Sequence, residues 1–179
     1  LSGDAQYEPQ PPSGLYNGMI APLLPVAIRG VVWYQGESNA LQAYQYRKLL
    51  PALIEGWRSA WHSPKLPFLI VQLPNHGPAV SAPQQSAWAE LREAQMMAAR
   101  LPHTAPVVTI DIGQENNVHP PDKADVGKRL ALAAEGTVYG QDIAYSGPLY
   151  ESAKIEGNKI ILHFRDVFGG LRTRDGKPL

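Results

Sequence analysis

Three short stretches of this chain carry side chains that can do chemistry, and each adjoins an apolar run. Gln35-Gly36-Glu37-Ser38-Asn39 follows Val31-Val32-Trp33-Tyr34. Gln72, Asn75 and His76 close or follow Phe68-Leu69-Ile70-Val71. Asp111, Gly113, Gln114, Glu115, Asn116, Asn117 and His119 close or follow residues 107–112. Together they hold the residue types that acyl transfer uses: a hydroxyl nucleophile, a base that titrates near neutral pH, and N–H donors for a developing oxyanion. His119 lies in a loop between Val118 and Pro120, ahead of a helical pattern, and is the candidate general base. The plain alternative is a solvated loop histidine. Gln35 and Gly36 offer a side-chain amide and an unhindered backbone N–H as oxyanion donors. Alternatively Gly36 only permits the turn and Gln35 only caps it. Ser38 follows a strand and precedes a helical pattern, as activated serines do; otherwise Ser38 or Asn39 is a helix N-cap. Glu37 is a candidate to orient His119 or to bind neighbouring loop backbone. His76 and Trp88 are candidates to touch a bound molecule beside Asn75.

Placing all these groups on one edge takes a parallel sheet. Residues 30–34 read as the first strand. A helical pattern follows over about 41–61, with Leu41, Tyr44, Leu49, Leu53, Ile54, Trp57 and Trp61 at helical spacing. Pro51 is expected to kink this helix or to start a second one. Residues 68–73 are the second strand, and their unbroken apolar character suits a strand covered on both faces. A proline-rich loop over 74–83 leads to a helix expected from near Pro83 or Gln84 to about Arg100. The third strand is predicted over 107–112, entered from Pro106. Asp122 is the expected N-cap of a helix ending near Gly136 or Gly140. Strand alternating with helix predicts a parallel sheet with right-handed crossovers. The loops after its strands then share the edge where open α/β sheets bind ligands. Residues 1–14 are a proline-containing lead-in, and 15–25 suit a helical turn. The tail differs: 146–156, 159–164 and 171–173 read as short strands, with hairpin signals at Gly157-Asn158 and Asp175-Gly176. The expected division is an α/β part over 1–145 and a β-rich tail over 146–179.

Composition narrows the function classes. The 179 residues are enough for one domain with a real core. A formal net charge of +0, without runs of like charge, argues against an electrostatic search for nucleic acid or anionic membrane. No apolar run approaches the roughly 18 residues that would span a bilayer. Cysteine is absent, which excludes disulfides and thiolate-held metal. Asp111, His119, Asp122 and Asp125 lack metal-ligand spacing, so no metal and no cofactor are expected. The four tryptophans read most simply as core or interface residues, and His62 and His103 as helix-end residues.

Trp33-Tyr34-Gln35-Gly36-Glu37-Ser38-Asn39-Ala40 resembles the third conserved block of the sialate O-acetylesterase family, within the SGNH hydrolases. Three further stretches resemble that family in order along the chain: residues 15–23, residues 88–95, and Val118-His119-Pro120 followed by residues 126–131. The resemblance implies a three-layer α/β/α flavodoxin-like sandwich, incomplete at its N-terminal side, whose tail begins a β-rich accessory region. It implies a serine esterase that removes O-acetyl groups from sialic acid or another acetylated sugar, with His119 as base and then acid. It also favours Gln35 and Gly36 as oxyanion donors. Two departures stand out. Asn116 occupies the position, three residues before the histidine, where many SGNH hydrolases carry aspartate, which leaves Glu37, Asp111 or a backbone carbonyl to steady the imidazole, or none. The family's Gly-Gln-Ser-Asn-like nucleophile block finds no match here. The expectation is therefore a chain that works with a complementing N-terminal half or as a homo-oligomer, or one that binds acetylated sugar without catalysis. A periplasmic or secreted bacterial location is expected rather than a cytoplasmic one.

Overall fold

The computed structural model describes residues 13–171 and Thr173. Three parallel strands form the central sheet in the order β1 (Val31–Trp33), β2 (Phe68–Val71), β3 (Thr104–Val107). The register pairs Val31 with Phe68 and Phe68 in turn with Thr104. Helix α1 (Ala43–Ala60) joins β1 to β2, α2 (Ala87–Ala98) joins β2 to β3, and α3 (Lys123–Thr137) follows β3. All four residues of β2 are buried, because their alternating side chains enter two different cores. Phe68 and Ile70 pack with Tyr46, Leu50 and Ile54 of α1 and Leu91, Ala94 and Ala98 of α2. Leu69 and Val71 pack with Ala105 and Val107 of β3 and Val126 and Ala133 of α3. Two crossovers of one hand, stepping the same way along a sheet, put their helices on the same face. The third helix covers the other face, which completes the α/β/α layering.

Aromatic rings fill the gap between α1 and the sheet. Trp57 meets Trp33 edge-on at 5.8 Å and also stacks near Trp61 and Phe68. Arg58 is buried beside them, where its guanidinium donates to the carbonyls of Leu66, Pro102 and His103. Burial lowers its pKa from the usual arginine value, and Glu55 opposes that shift.

Several element boundaries differ from the sequence reading. The third strand is Thr104–Val107, about three residues earlier than expected, and Pro106 lies within it. The ladder explains this. Phe68 N–H donates to His103 O and Gln72 N–H to Val107 O, so the nitrogen of Pro106 faces the outer edge, where no N–H is needed. Residues 108–112 are consequently loop. Helix α2 starts at Ala87, later than Pro83 or Gln84, because the Ser86 hydroxyl caps it by accepting from Ala89 N–H. Pro51 neither ends nor splits α1; Leu50 and Ile54, buried on either side of it, hold the helix against the core. Asp122 does cap α3, accepting from Asp125 N–H. In the tail, β4 (Leu149–Glu156) and β5 (Lys159–Arg165) form an antiparallel hairpin around Gly157-Asn158. Leu171 and Thr173 lie in no strand, and Asp175-Gly176 lies outside the described residues. No helix among the described residues is long and apolar enough to cross a membrane.

Candidate active site

Because β1, β2 and β3 are parallel, the loops that follow them leave the sheet at one edge. They are stitched to one another there. Between the first two loops, the Gln95 side chain of α2 accepts from Leu73 N–H at 2.9 Å and donates to Gln35 O at 3.1 Å. Between the second and third, Gly113 N–H donates to Asn75 Oδ1 at 2.7 Å and Gly77 N–H to Glu115 O. The buried Thr109 hydroxyl donates to Gln72 O in the same region. Between the third and first, Lys123 of α3 sits over the Tyr34 ring, 4.8 Å from its centroid. Arg129 anchors the third loop to α3 by gripping both carboxylate oxygens of Asp111, at 2.6 and 2.8 Å, and the Val108 carbonyl. That hydrogen-bonded carboxylate raises the Arg129 pKa further.

The first loop holds a chain of hydrogen-bonded side chains. Trp33 Nε1 can only donate, and it donates to Tyr46 Oη at 3.3 Å. The Tyr46 hydrogen is therefore directed at Gln35, whose Oε1 lies at 2.9 Å and whose carbonyl lies at 3.3 Å. Burial raises the Tyr46 pKa, the Trp33 hydrogen bond lowers it less, and Glu37 raises it, so the phenol stays a donor at neutral pH. With Oε1 held, Gln35 Nε2 donates to Asn39 Oδ1 at 2.8 Å. One hydrogen of that amide remains for another acceptor. A cavity of about 360 Å³ opens beside Gln35 and Asn39, floored by Trp33, Tyr46, Leu50 and Leu53. His119 does not line it.

Gly36 is buried and has φ +147, a backbone conformation that side chains rarely adopt. A Cβ there would lie 2.8 Å from Leu91 Cδ2 and 3.3 Å from Gln95 Nε2. It is the cap of the tight turn Glu37–Gln42, and no side chain bonds that cap. The N-cap role considered for Ser38 and Asn39 is thus not theirs. Ser38 is exposed inside the turn, and Asn39 instead orients Gln35. Glu37 is half-buried, and its charge acts on the Tyr34 and Tyr46 hydroxyls.

His119 is exposed, and its backbone N–H donates to Asn117 Oδ1, which shapes the loop ahead of Pro120. Among the described residues no hydrogen bond joins its ring to the Ser38 hydroxyl. His76 packs against Trp88 at 5.1 Å, and Trp88 Nε1 donates to Pro74 O, so these two rings form one platform beside Asn75. Asn75 itself spends its carbonyl oxygen on Gly113. Among the described residues no three acidic, histidine or cysteine side chains gather as a metal site.

Sequence reasoning gave no role to Tyr46, Gln95, Lys123 or Arg129, although Gln95 and Arg129 lie within the family-like stretches 88–95 and 126–131. Gln95 had left a signal: it falls on the buried stripe of α2, four residues after Leu91 and three before Ala98. A polar side chain on such a stripe has to find partners there.

A parallel α/β/α sandwich with polar loops stitched together at its carboxyl edge has the flavodoxin-like layering, which a solved carbohydrate acetylesterase shares. Within that fold class the chain belongs to the family described as carbohydrate esterase, sialic acid-specific acetylesterase, whose profile matches residues 2–135. The sialate O-acetylesterases of Homo sapiens and Pongo abelii are each 32% identical over 177 residues, covering 89% of this chain and 34% of theirs. The crystal structure of a carbohydrate acetylesterase from Xanthomonas citri matches with TM-score 0.79 and 45% identity, over 84% of this chain and 35% of that one. The chain spans about a third of the length of these relatives.

Proposed function

We propose that this chain takes part in removing O-acetyl groups from sialic acid or another acetylated sugar, by acyl transfer to a serine. Membership of the acetylesterase family is the observation that carries this reading. In the proposed mechanism His119 takes the proton of the attacking hydroxyl and returns it to the leaving sugar alkoxide. Gln35 Nε2 and Gly36 N–H receive the negative charge of the tetrahedral intermediate. Asn75, His76 and Trp88 are assigned to contact with the sugar, a reading supported by the His76–Trp88 ring pair beside Asn75. Glu37, whose charge acts on Tyr34 and Tyr46, is assigned to shaping the first loop, with orientation of His119 as its alternative role.

The nucleophile must come within about 2.6–3.2 Å of its base. Ser38 makes no hydrogen bond to His119 in this structure, so we assign the attack to a serine from a complementing polypeptide or a longer chain. Ser38 is the alternative within these residues. The absence of a Ser38–His119 bond also motivates a second reading, in which the chain binds acetylated sugar without hydrolysing it. Fluorophosphonate labelling with mass-spectrometric mapping separates the three. No adduct on this chain alone, with label appearing on an added N-terminal half together with aryl-acetate hydrolysis, is the expected result. An adduct on Ser38 that vanishes in His119→Ala would move the nucleophile into this chain. Sugar binding with no adduct in either preparation would favour the non-catalytic reading.

A further inference from the structure

We infer that Gln95 is a positioning residue that aims the Gly36 N–H out of the core toward the substrate edge. The inference rests on the esterase reading above and adds to it a residue that touches neither substrate nor reacting atoms.

The peptide unit between Gln35 and Gly36 is the object being held. In a trans peptide the N–H points opposite to the preceding carbonyl. Gln35 O is held from the interior by Gln95 Nε2 at 3.1 Å, and Tyr46 Oη lies 3.3 Å from it, its one hydrogen shared with the nearer Gln35 Oε1. Fixing that carbonyl inward fixes the Gly36 N–H outward. No hydrogen bond among the described residues takes up that N–H, although Gly36 is buried. A donor that the surrounding protein leaves without an acceptor is available to one that arrives. A developing oxyanion is such an acceptor, and preorganised donors of this kind act because they need not turn during the reaction.

Gln95 is suited to the task by its own restraint. It is 1% exposed, Leu73 N–H donates to its Oε1, and its Nε2 also reaches Val71 O at 3.4 Å. Its amide therefore cannot flip without putting oxygen against two carbonyls. It references the first loop to the end of β2, the most buried strand of the sheet. The φ of +147 at Gly36 and the approach of Leu91 keep the turn from relaxing around the clamp.

The test has two arms. In the first, Gln95→Glu, of nearly the same shape, is assayed on an aryl acetate in the active preparation. Its carboxylate cannot donate to Gln35 O, so kcat is expected to fall about 10- to 100-fold at neutral pH with KM within about twofold. Once protonated, the same side chain donates again. The ratio of variant to parent kcat should therefore rise as pH falls, which a packing role would not produce. A parent-like kcat, or a ratio flat with pH, overturns the inference. The second arm needs no activity. Amide ¹⁵N relaxation at Gly36 is expected to show a rigid N–H in the parent and a mobile one in Gln95→Met, with α2 unchanged. Equal order in both proteins overturns the clamp, whereas an inactive parent with a lost clamp would count against the esterase reading alone.

Discussion

At the scale of single residues, placement matters more than type. His119 lies exposed in a loop, so His119→Ala should leave stability within about 0.5 kcal/mol while removing aryl-acetate hydrolysis from any active preparation. Wild-type turnover in that variant would exclude it as the base. Tyr46 is the reverse case, a buried hydroxyl that links Trp33 to Gln35. Tyr46→Phe leaves Trp33 Nε1 and Gln35 Oε1 without a partner, which costs about 1–3 kcal/mol. Its titration has a definite sign. Burial raises the folded-state pKa above the ordinary tyrosine value, so the folded protein holds this proton more tightly than the unfolded one. The stabilisation is complete below about pH 10 and is lost as pH rises beyond it. Denaturant unfolding above that pH is expected to weaken more steeply in the parent than in Tyr46→Phe.

At the scale of elements, two glycines separate crowding from conformational freedom. A Cβ on Gly113 would lie 2.1 Å from the Asn75 carbonyl oxygen, where the second and third loops cross. Gly113→Ala therefore has to push those loops apart, at about 1–3 kcal/mol, and should lower activity with it. Gly127, inside α3, meets nothing within 4 Å. Gly127→Ala is expected to raise stability by about 0.4–1 kcal/mol through helix propensity. Urea titrations of both variants check the pair, and similar losses in the two would show that the loop crossing is not as tight as described.

At the scale of the molecule, β1 is the exposed side of the sheet. Among the described residues no strand pairs with its outer edge, and Val32, which lies beside Leu69 on the same face of the sheet as α3, is still 56% exposed. Leu41 and Tyr44 lie exposed nearby in sequence, on the turn and on α1. An open edge with apolar neighbours associates. We expect sedimentation at micromolar concentration to show self-association, or a mixed complex once a complementing half is added, and Val32→Lys to weaken either. A stable monodisperse monomer would count against this surface.

The layering of helices and strands was legible in the sequence because burial on two faces demands a continuous apolar run such as residues 68–71, and burial on one face demands helical spacing such as Leu53, Ile54, Trp57 and Trp61. Leu41, Tyr44 and Leu49, read into the same stripe, are exposed, and Tyr46 and Leu50 take the buried positions instead. The catalytic-looking loops were legible for a related reason: a polar cluster directly after a buried strand has few other places to go than the sheet edge. Boundaries were less so. Pro106 argued against a strand until the ladder showed its nitrogen on the outer side, a matter of which neighbour β3 has. The partners of the site were decided by tertiary structure alone. Gln95 lies sixty residues from Gln35, and Arg129 lies eighteen from the Asp111 carboxylate it grips. Local sequence determines which face a side chain occupies, but only the packing of α2 and α3 against the sheet determines which loop that side chain meets.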